Sequence, residues 1–184
     1  CPMPPAHLQQ RSSTLLALDD FEEGVNRVDF EVEAQQLDLG DTEFDFTAPV
    51  AVHLTVARTM QMFSVKGRLR TYVGGACCRC LLPAKADLMS EIRFLLQRKE
   101  ASDLEVEAIE DQDDVDIVDP GTKEVDLVER LHDAVVLELP LRLYCKTDCK
   151  GLCARCGKDL NADVCSCVED EIDPRWEALA QLKR

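Results

Sequence analysis

The sequence lacks several features that would assign it quickly, and each absence removes a class of function. No stretch approaches the eighteen or so uninterrupted apolar residues of a membrane-spanning helix, and no basic-then-apolar segment of the kind that directs secretion is visible, so a soluble protein is expected. No Ser-His-Asp or Cys-His arrangement can be picked out, and no glycine-rich phosphate loop occurs, which argues against hydrolase and nucleotide-binding chemistry. Histidine is scarce: His7 and His53 have no partner pattern, and His132 reads as a surface or half-packed residue rather than a ligand. The acidic run from Glu100 to Glu129 lacks the fixed spacing and glycine of a calcium loop. The single tryptophan, Trp176, reads as an anchor for a terminal helix rather than a platform for a base.

Positive charge is also in short supply, with a formal net charge of -15 over 184 residues. On its own that disfavours a polyanionic partner, since nucleic-acid affinity comes mainly from phosphate neutralisation. The acid is in blocks, however. Residues 1–65 sum to -8 and residues 100–129 to -12, whereas residues 66–99 hold eight basic and two acidic side chains. A basic middle survives between two acidic regions.

Apolar residues alternate in four places, which predicts half-buried strands. Val28, Phe30 and Val32 alternate with Asp29, Glu31 and Glu33, and Val50, Val52, Leu54 and Val56 repeat the pattern. Phe63, Val65, Gly67, Leu69, Thr71 and Val73 then share one face, with Lys66, Arg68, Arg70 and Tyr72 on the other. Ala86, Leu88, Ser90, Ile92 and Phe94 alternate with Asp87, Met89, Glu91 and Arg93. The last two strands flank a pair of cysteines and are expected to form a hairpin, with Gly74 and Gly75 allowing the chain to reverse. Thr122 is a plausible N-cap for a helix carrying Val125, Val128, Leu131, Val135 and Leu139 up to Pro140. Asp173 and Pro174 open a second, terminal helix with Trp176, Leu179 and Leu182 on one face. The expected architecture is α+β, mainly antiparallel β with one or two helices. It divides into a flexible segment at 1–24, a β domain at 25–144 with an acidic loop at 100–119 and a short strand at Val115–Val118, and a zinc knuckle with terminal helix at 145–184.

What the sequence has in excess is cysteine, ten in all. Cys77 and Cys80 form a C-x-x-C in the text CCRC, and Cys145, Cys149, Cys153, Cys156, Cys165 and Cys167 crowd into YCKTDCKGLCARCGKDLNADVCSC. Tetrahedral zinc takes four ligands, and a C-x-x-C turn offers two thiolates on one side of the ion. Cys153 and Cys156 with Cys165 and Cys167 can close one site locally. Cys77 and Cys80 then need a distant pair, and Cys145 with Cys149 remain. Two zinc ions would thus use eight cysteines, with Cys78 able to replace Cys77 and Cys1 too far upstream to assign. A secreted disulfide scaffold and a thiol redox protein are the competing explanations, and the spacing and the absence of a secretion signal count against the first.

The segments CCRCLLPA, LELPLRLYCKTDCKGLCARCGKDLNADVCSC and DPRWEALAQL together resemble the YceD family of bacteria and plastids, over about residues 25–184. The resemblance implies a non-enzymatic role in accumulation of large-subunit (23S) ribosomal RNA and in ribosome assembly, in the bacterial cytoplasm or plastid stroma. It carries over the same eight cysteines, Cys78 lying outside the pattern. Two mechanisms are open. In one, rRNA or an assembly intermediate is bound through Lys66, Arg68, Arg70, Arg79, Lys85, Lys146, Lys150, Arg155 and Lys158. In the other, the acidic blocks chaperone a basic ribosomal protein. Each zinc with four thiolates carries -2, so the lysines and arginines near the cysteines have a second possible task as neutralising charges.

Overall fold

In the computed structural model, residues 14–40, 42–99 and 115–167 are described. The alternating segments become the strands of a six-stranded sheet: β2 (Gly24–Val32), β3 (Asp45–Phe46), β4 (Val50–Thr59), β5 (Met62–Ala76), β6 (Pro83–Arg98) and β7 (Val115–Val118), after a short β1 (Leu15–Ala17). The spatial order is β2-β4-β5-β6-β7, with β3 against the far end of β5. All pairings in this sheet are antiparallel except β6 with β7, which run parallel, so the sheet is mixed. One face carries Val52, Leu54, Phe63, Val65, Leu69, Leu88 and Phe94 into the core, and the other faces solvent. Helix α1 (Val128–Leu137) lies over the inner face near β6 and buries Leu131, Ala134 and Val135. His132 is half-packed there, its Nδ1 bonding the Leu37 carbonyl at 2.7 Å.

The long hairpin of β5 and β6 organises the rest. Its register runs from Met62 opposite Gln97 to Ala76 opposite Pro83, leaving Cys77–Leu82 as the loop at its tip. The expected reversal at Gly74 and Gly75 does not occur, because both lie inside β5. At Gly74 the small size serves packing instead. A Cβ at Gly74 would stand 3.3 Å from Thr47 Cγ2, so glycine lets the chain around β3 lie close.

Two other expectations need correction. The helix does not start at Thr122, whose N–H closes a turn onto the Asp119 carbonyl. Glu124–Asp126 form β8, which pairs antiparallel with β1 and sets Val125 opposite Leu16. Strand pairing there outcompetes the helical spacing of Val125, and Asp126 Oδ1 accepts the Val128 N–H as the helix begins. Residues 14–24, expected to be flexible, instead bury Leu16, Leu18 and Phe21 in the core. Arg98 holds them in place: its guanidinium donates to Asp19 at 2.7 Å and to the Thr122 carbonyl at 2.6 Å. The expected terminal helix, residues 1–13 and residues 100–114 of the acidic run lie outside the described residues.

Candidate metal centres and the open sheet face

The hairpin tip builds half of the first centre. Within it the Cys77 N–H donates to the Leu82 carbonyl at 2.8 Å and the Leu81 N–H to the Cys77 carbonyl at 2.9 Å, with Leu81 at φ 61 completing the tight turn. Cys77 and Cys80 point inward and are buried, while Cys78 is exposed and its N–H bonds the Leu143 carbonyl. The segment after α1 then brings up Cys145 and the buried Cys149. The sulfurs of Cys77 and Cys149 lie 3.9 Å apart and those of Cys80 and Cys145 3.5 Å apart. All four lie within 4.8 Å of one another.

Cys153, Cys156, Cys165 and Cys167 make the second group to the same tolerance. Cys153 and Cys156 flank a turn closed by the Gly157 N–H on the Cys153 carbonyl at 2.9 Å, with Gly157 at φ 71. Cys165 Sγ lies 3.4 Å from Cys153 Sγ and 3.5 Å from Cys156 Sγ. These are the two groups that the spacing suggests, Cys77 rather than Cys78 completing the first.

The geometry suits a cation and not disulfides. Four ligands at about 2.3 Å from a tetrahedral ion stand about 3.8 Å from each other, close to the separations here and far beyond a covalent S–S bond of about 2.05 Å. All nine cysteines from Cys77 to Cys167 are free. Backbone donors favour the thiolate form. Burial raises the Cys77 thiol, but N–H groups of Cys145, Arg79 and Cys80 outweigh it and bring it down to about 6. N–H groups of Cys156 and Arg155 bring Cys153 down to about 6. Cys145, against the sulfur of Cys80 and then burial, is pushed up to about 12, and Cys167 is pushed up to about 12 by Cys165 and Cys156. Sulfurs this close cannot all ionise without a positive ion among them, so each tetrad can hold a metal ion.

Three residues join the tetrads. Arg79, in the first knuckle, donates from its guanidinium to the Cys149 carbonyl at 2.8 Å, covers the Tyr144 ring at 4.8 Å, and accepts the Leu152 N–H on its own carbonyl. Gly151 takes φ +77, and a Cβ there would stand 3.0 Å from the Arg79 carbonyl oxygen. Asn161, inside the loop of the second tetrad, donates from Nδ2 to Cys149 Sγ of the first at 3.4 Å and accepts the Lys150 N–H at 2.9 Å. Sequence reasoning missed Asn161, since only the fold brings it to that sulfur.

The nine basic residues named from the sequence fall into two sets. Lys66, Arg68, Arg70 and Lys85 project from the solvent face of β5 and β6, where Arg68 pairs with Glu91 at 3.5 Å and Arg70 with Asp87 at 2.7 Å. Arg70 in turn holds the Asp87 carboxyl below its ordinary range. Arg79, Lys146, Lys150, Arg155 and Lys158 belong to the knuckles, where Lys158 pairs with Asp163 at 3.3 Å. The sheet set has companions that the sequence reading left out. Register places Arg27 and Thr55 in line with Lys66 and Arg93.

A β-sheet whose longest hairpin ends in one cysteine tetrad, with a second tetrad appended, defines a small β protein with two groups of thiols able to hold a metal ion. The chain belongs to the YceD family, whose model, described as large ribosomal RNA subunit accumulation protein YceD, matches residues 65–183 and so spans both tetrads. It is similar to the chloroplastic large ribosomal RNA subunit accumulation protein YCED homolog 1 of Arabidopsis thaliana, at 29% identity over 73% of this chain and 49% of that one. The protein of the same name in Zea mays is 30% identical over 65% of this chain and 48% of its own length. An uncharacterized protein of Mycobacterium tuberculosis is 29% identical over 96% of this chain and 78% of its own. The chain thus spans about half the length of the chloroplast relatives it matches. No solved structure gives a significant match.

Proposed function

We propose that this chain is a non-enzymatic factor that promotes accumulation of large-subunit (23S) ribosomal RNA and assembly of the large subunit by binding rRNA or an assembly intermediate. The observation that supports it most is the family match across the whole stretch that holds the tetrads. Each tetrad holds one zinc ion, which the all-thiolate donor set suits, and the ion supplies cross-linking rather than chemistry on a substrate. The chain's own residues do the rest: Arg79 and Asn161 fix the two knuckles against each other, and the sheet presents its basic strand to solvent. We locate this role in the bacterial cytoplasm or plastid stroma, in keeping with the mycobacterial and chloroplast relatives. Among the described residues no helix is long and apolar enough to cross a membrane.

The second reading, an acidic module that chaperones a basic ribosomal protein, is favoured by the -12 sum of residues 100–129. Affinity purification from growing cells, with the bound RNA sequenced and the bound proteins identified, separates the two. Co-purification of 23S rRNA that is lost when Lys66, Arg68 and Arg70 become alanine supports RNA contact. Retention of one basic ribosomal protein that is lost on shortening the acidic run, with no RNA, supports the chaperone. Enrichment of neither contradicts both.

A further inference from the structure

The solvent face of the sheet carries a charge pattern that its own stability does not require. Register aligns Arg27, Thr55, Lys66 and Arg93 in a single row across β2, β4, β5 and β6. Lys66 stands directly opposite Arg93, and like charges in paired positions destabilise a sheet. Arg93 shares Glu91 with Arg68, and among the described residues neither Arg27 nor Lys66 has an acidic partner. A chain with a surplus of fifteen negative charges nevertheless gives this row of three cations only Glu91, which Arg93 shares with Arg68. The row lines a cleft of about 430 Å³, whose two acids, Asp29 and Glu91, are taken by His53 and by Arg68 and Arg93.

From Lys66 the positive charge continues along β5 through Arg68 and Arg70, one cation every second residue, a step of about 6.8 Å. It ends at Tyr72 and Met89, which line a second cleft of about 900 Å³ together with Pro49, Ala51, Arg70 and the acids Glu31 and Glu91. Met89 is 68% exposed and Tyr72 40%, although both are large and apolar in body. The strip is bounded by Asp29 and Glu31 on one side and by Asp87 and Glu91 on the other. One line of cations leading to an aromatic and apolar pocket suits one phosphodiester chain and an unpaired base. A duplex, with two phosphate chains and its bases paired inward, would set its second backbone against the acids. The ion pairs of Arg68 and Arg70 are exposed, so exchanging a carboxylate for a phosphate costs little.

We infer that this open face is a track for single-stranded RNA, with phosphates on the Arg27–Lys66–Arg93 row and along β5 and a base against Tyr72 and Met89. The inference rests on the proposal that the chain contacts RNA, and adds where and in what form. The test is fluorescence anisotropy of the metal-loaded protein with a labelled twelve-nucleotide oligouridine across a salt series. The combined variant Arg27→Ala, Lys66→Ala, Arg93→Ala is expected to bind at least tenfold more weakly. Its log affinity should fall with log salt less steeply by about two units, at about 0.7 per phosphate contact for single strands. Tyr72→Ala is expected to lose on the order of tenfold with the salt slope unchanged. Lys123→Ala, an exposed lysine outside the row and the strip, should alter neither, and an RNA hairpin of equal length should bind more weakly than the oligouridine. Metal count and melting temperature check the fold of each variant, and the triple variant should melt no lower than the parent because it removes a repulsive pair. If the parent binds RNA and the triple variant matches it in affinity and slope, or if the hairpin binds better, the inference is overturned while RNA contact stands. If the parent binds no RNA, direct contact falls with it. Tighter binding of an unstructured acidic peptide at the same face would overturn it in favour of a protein partner.

Discussion

The two cysteine tetrads have the same donors and nearly the same sulfur spacing, yet they differ in what they hold together. In the first, the close sulfur pairs join residues 72 and 65 positions apart, and three of the four cysteines are buried. In the second, the close pairs are 9 and 12 positions apart, and Cys156 and Cys167 are exposed. Closing a long loop removes more chain entropy than closing a short one, and a buried site is shielded from competing ligands. With a metal ion bound, the first tetrad would therefore secure residues 145–149 to the sheet, whereas the second would mainly order its own loop. Identical donor sets would then serve two structural tasks because of where the chain places them.

Acid is expected to have the largest effect, since it acts on both sites. A thiol lowered in the folded state contributes stability that is present above its ordinary value and lost as pH falls through the folded one. Cys77 and Cys153 both stand at about 6, so both metals should be retained at neutral pH and released as pH falls through and below that value. Mass spectra at stepped pH would show this, and the exposed second site should empty sooner after each step. Loss of one metal only, however low the pH, would break the symmetry claimed for the donors.

Single substitutions then separate the sites. Cys80→Ser should remove the first metal and destabilise the sheet by at least about 4 kcal/mol, seen as a large fall in melting temperature. Cys165→Ser should remove the second metal, change the main transition by less than about 1 kcal/mol, and raise amide exchange only around residues 150–167. Equal loss of stability in the two variants would contradict the division of tasks. Gly151→Ala should cost about 2 kcal/mol, because alanine at φ +77 is strained and its Cβ meets the Arg79 carbonyl oxygen. Thermal unfolding measures that directly, and an unchanged melting temperature would mean that the knuckles are not pressed together there.

The smallest effect tests whether the sites are coupled. Asn161→Ala, a change within the second loop, should loosen the first site by about 1 kcal/mol through loss of its bond to the Cys149 sulfur and to the Lys150 N–H. Chelator competition that distinguishes the two metals reads this, and a change confined to the second site would show that the tetrads are independent.

Much of this was legible in the residues because the signals are local. Each C-x-x-C turn announces itself, and β2, β4, β5 and β6 follow from alternation that is already visible at residues 28–33, 50–56, 63–73 and 86–94. The three-residue β1 and β8 are too short to show a period, and their pairing joins residues more than a hundred positions apart. Val125 fits a helical stripe as well as it fits a strand, so only the presence of β1 decides its state. The parallel run of β7 and the cation row of Arg27, Lys66 and Arg93 depend on register between strands, which no single segment encodes. Asn161 looks like an ordinary turn residue until the fold sets it on a sulfur of the other tetrad.

The most direct test of the account is native mass spectrometry of the protein purified from growing cells, measured beside Cys80→Ser and Cys165→Ser. Two zinc ions on the parent and one on each variant, with all thiols otherwise free, is the predicted result. A single metal or none on the parent, or a mass two units lower for each pair of cysteines joined as a disulfide, would contradict it.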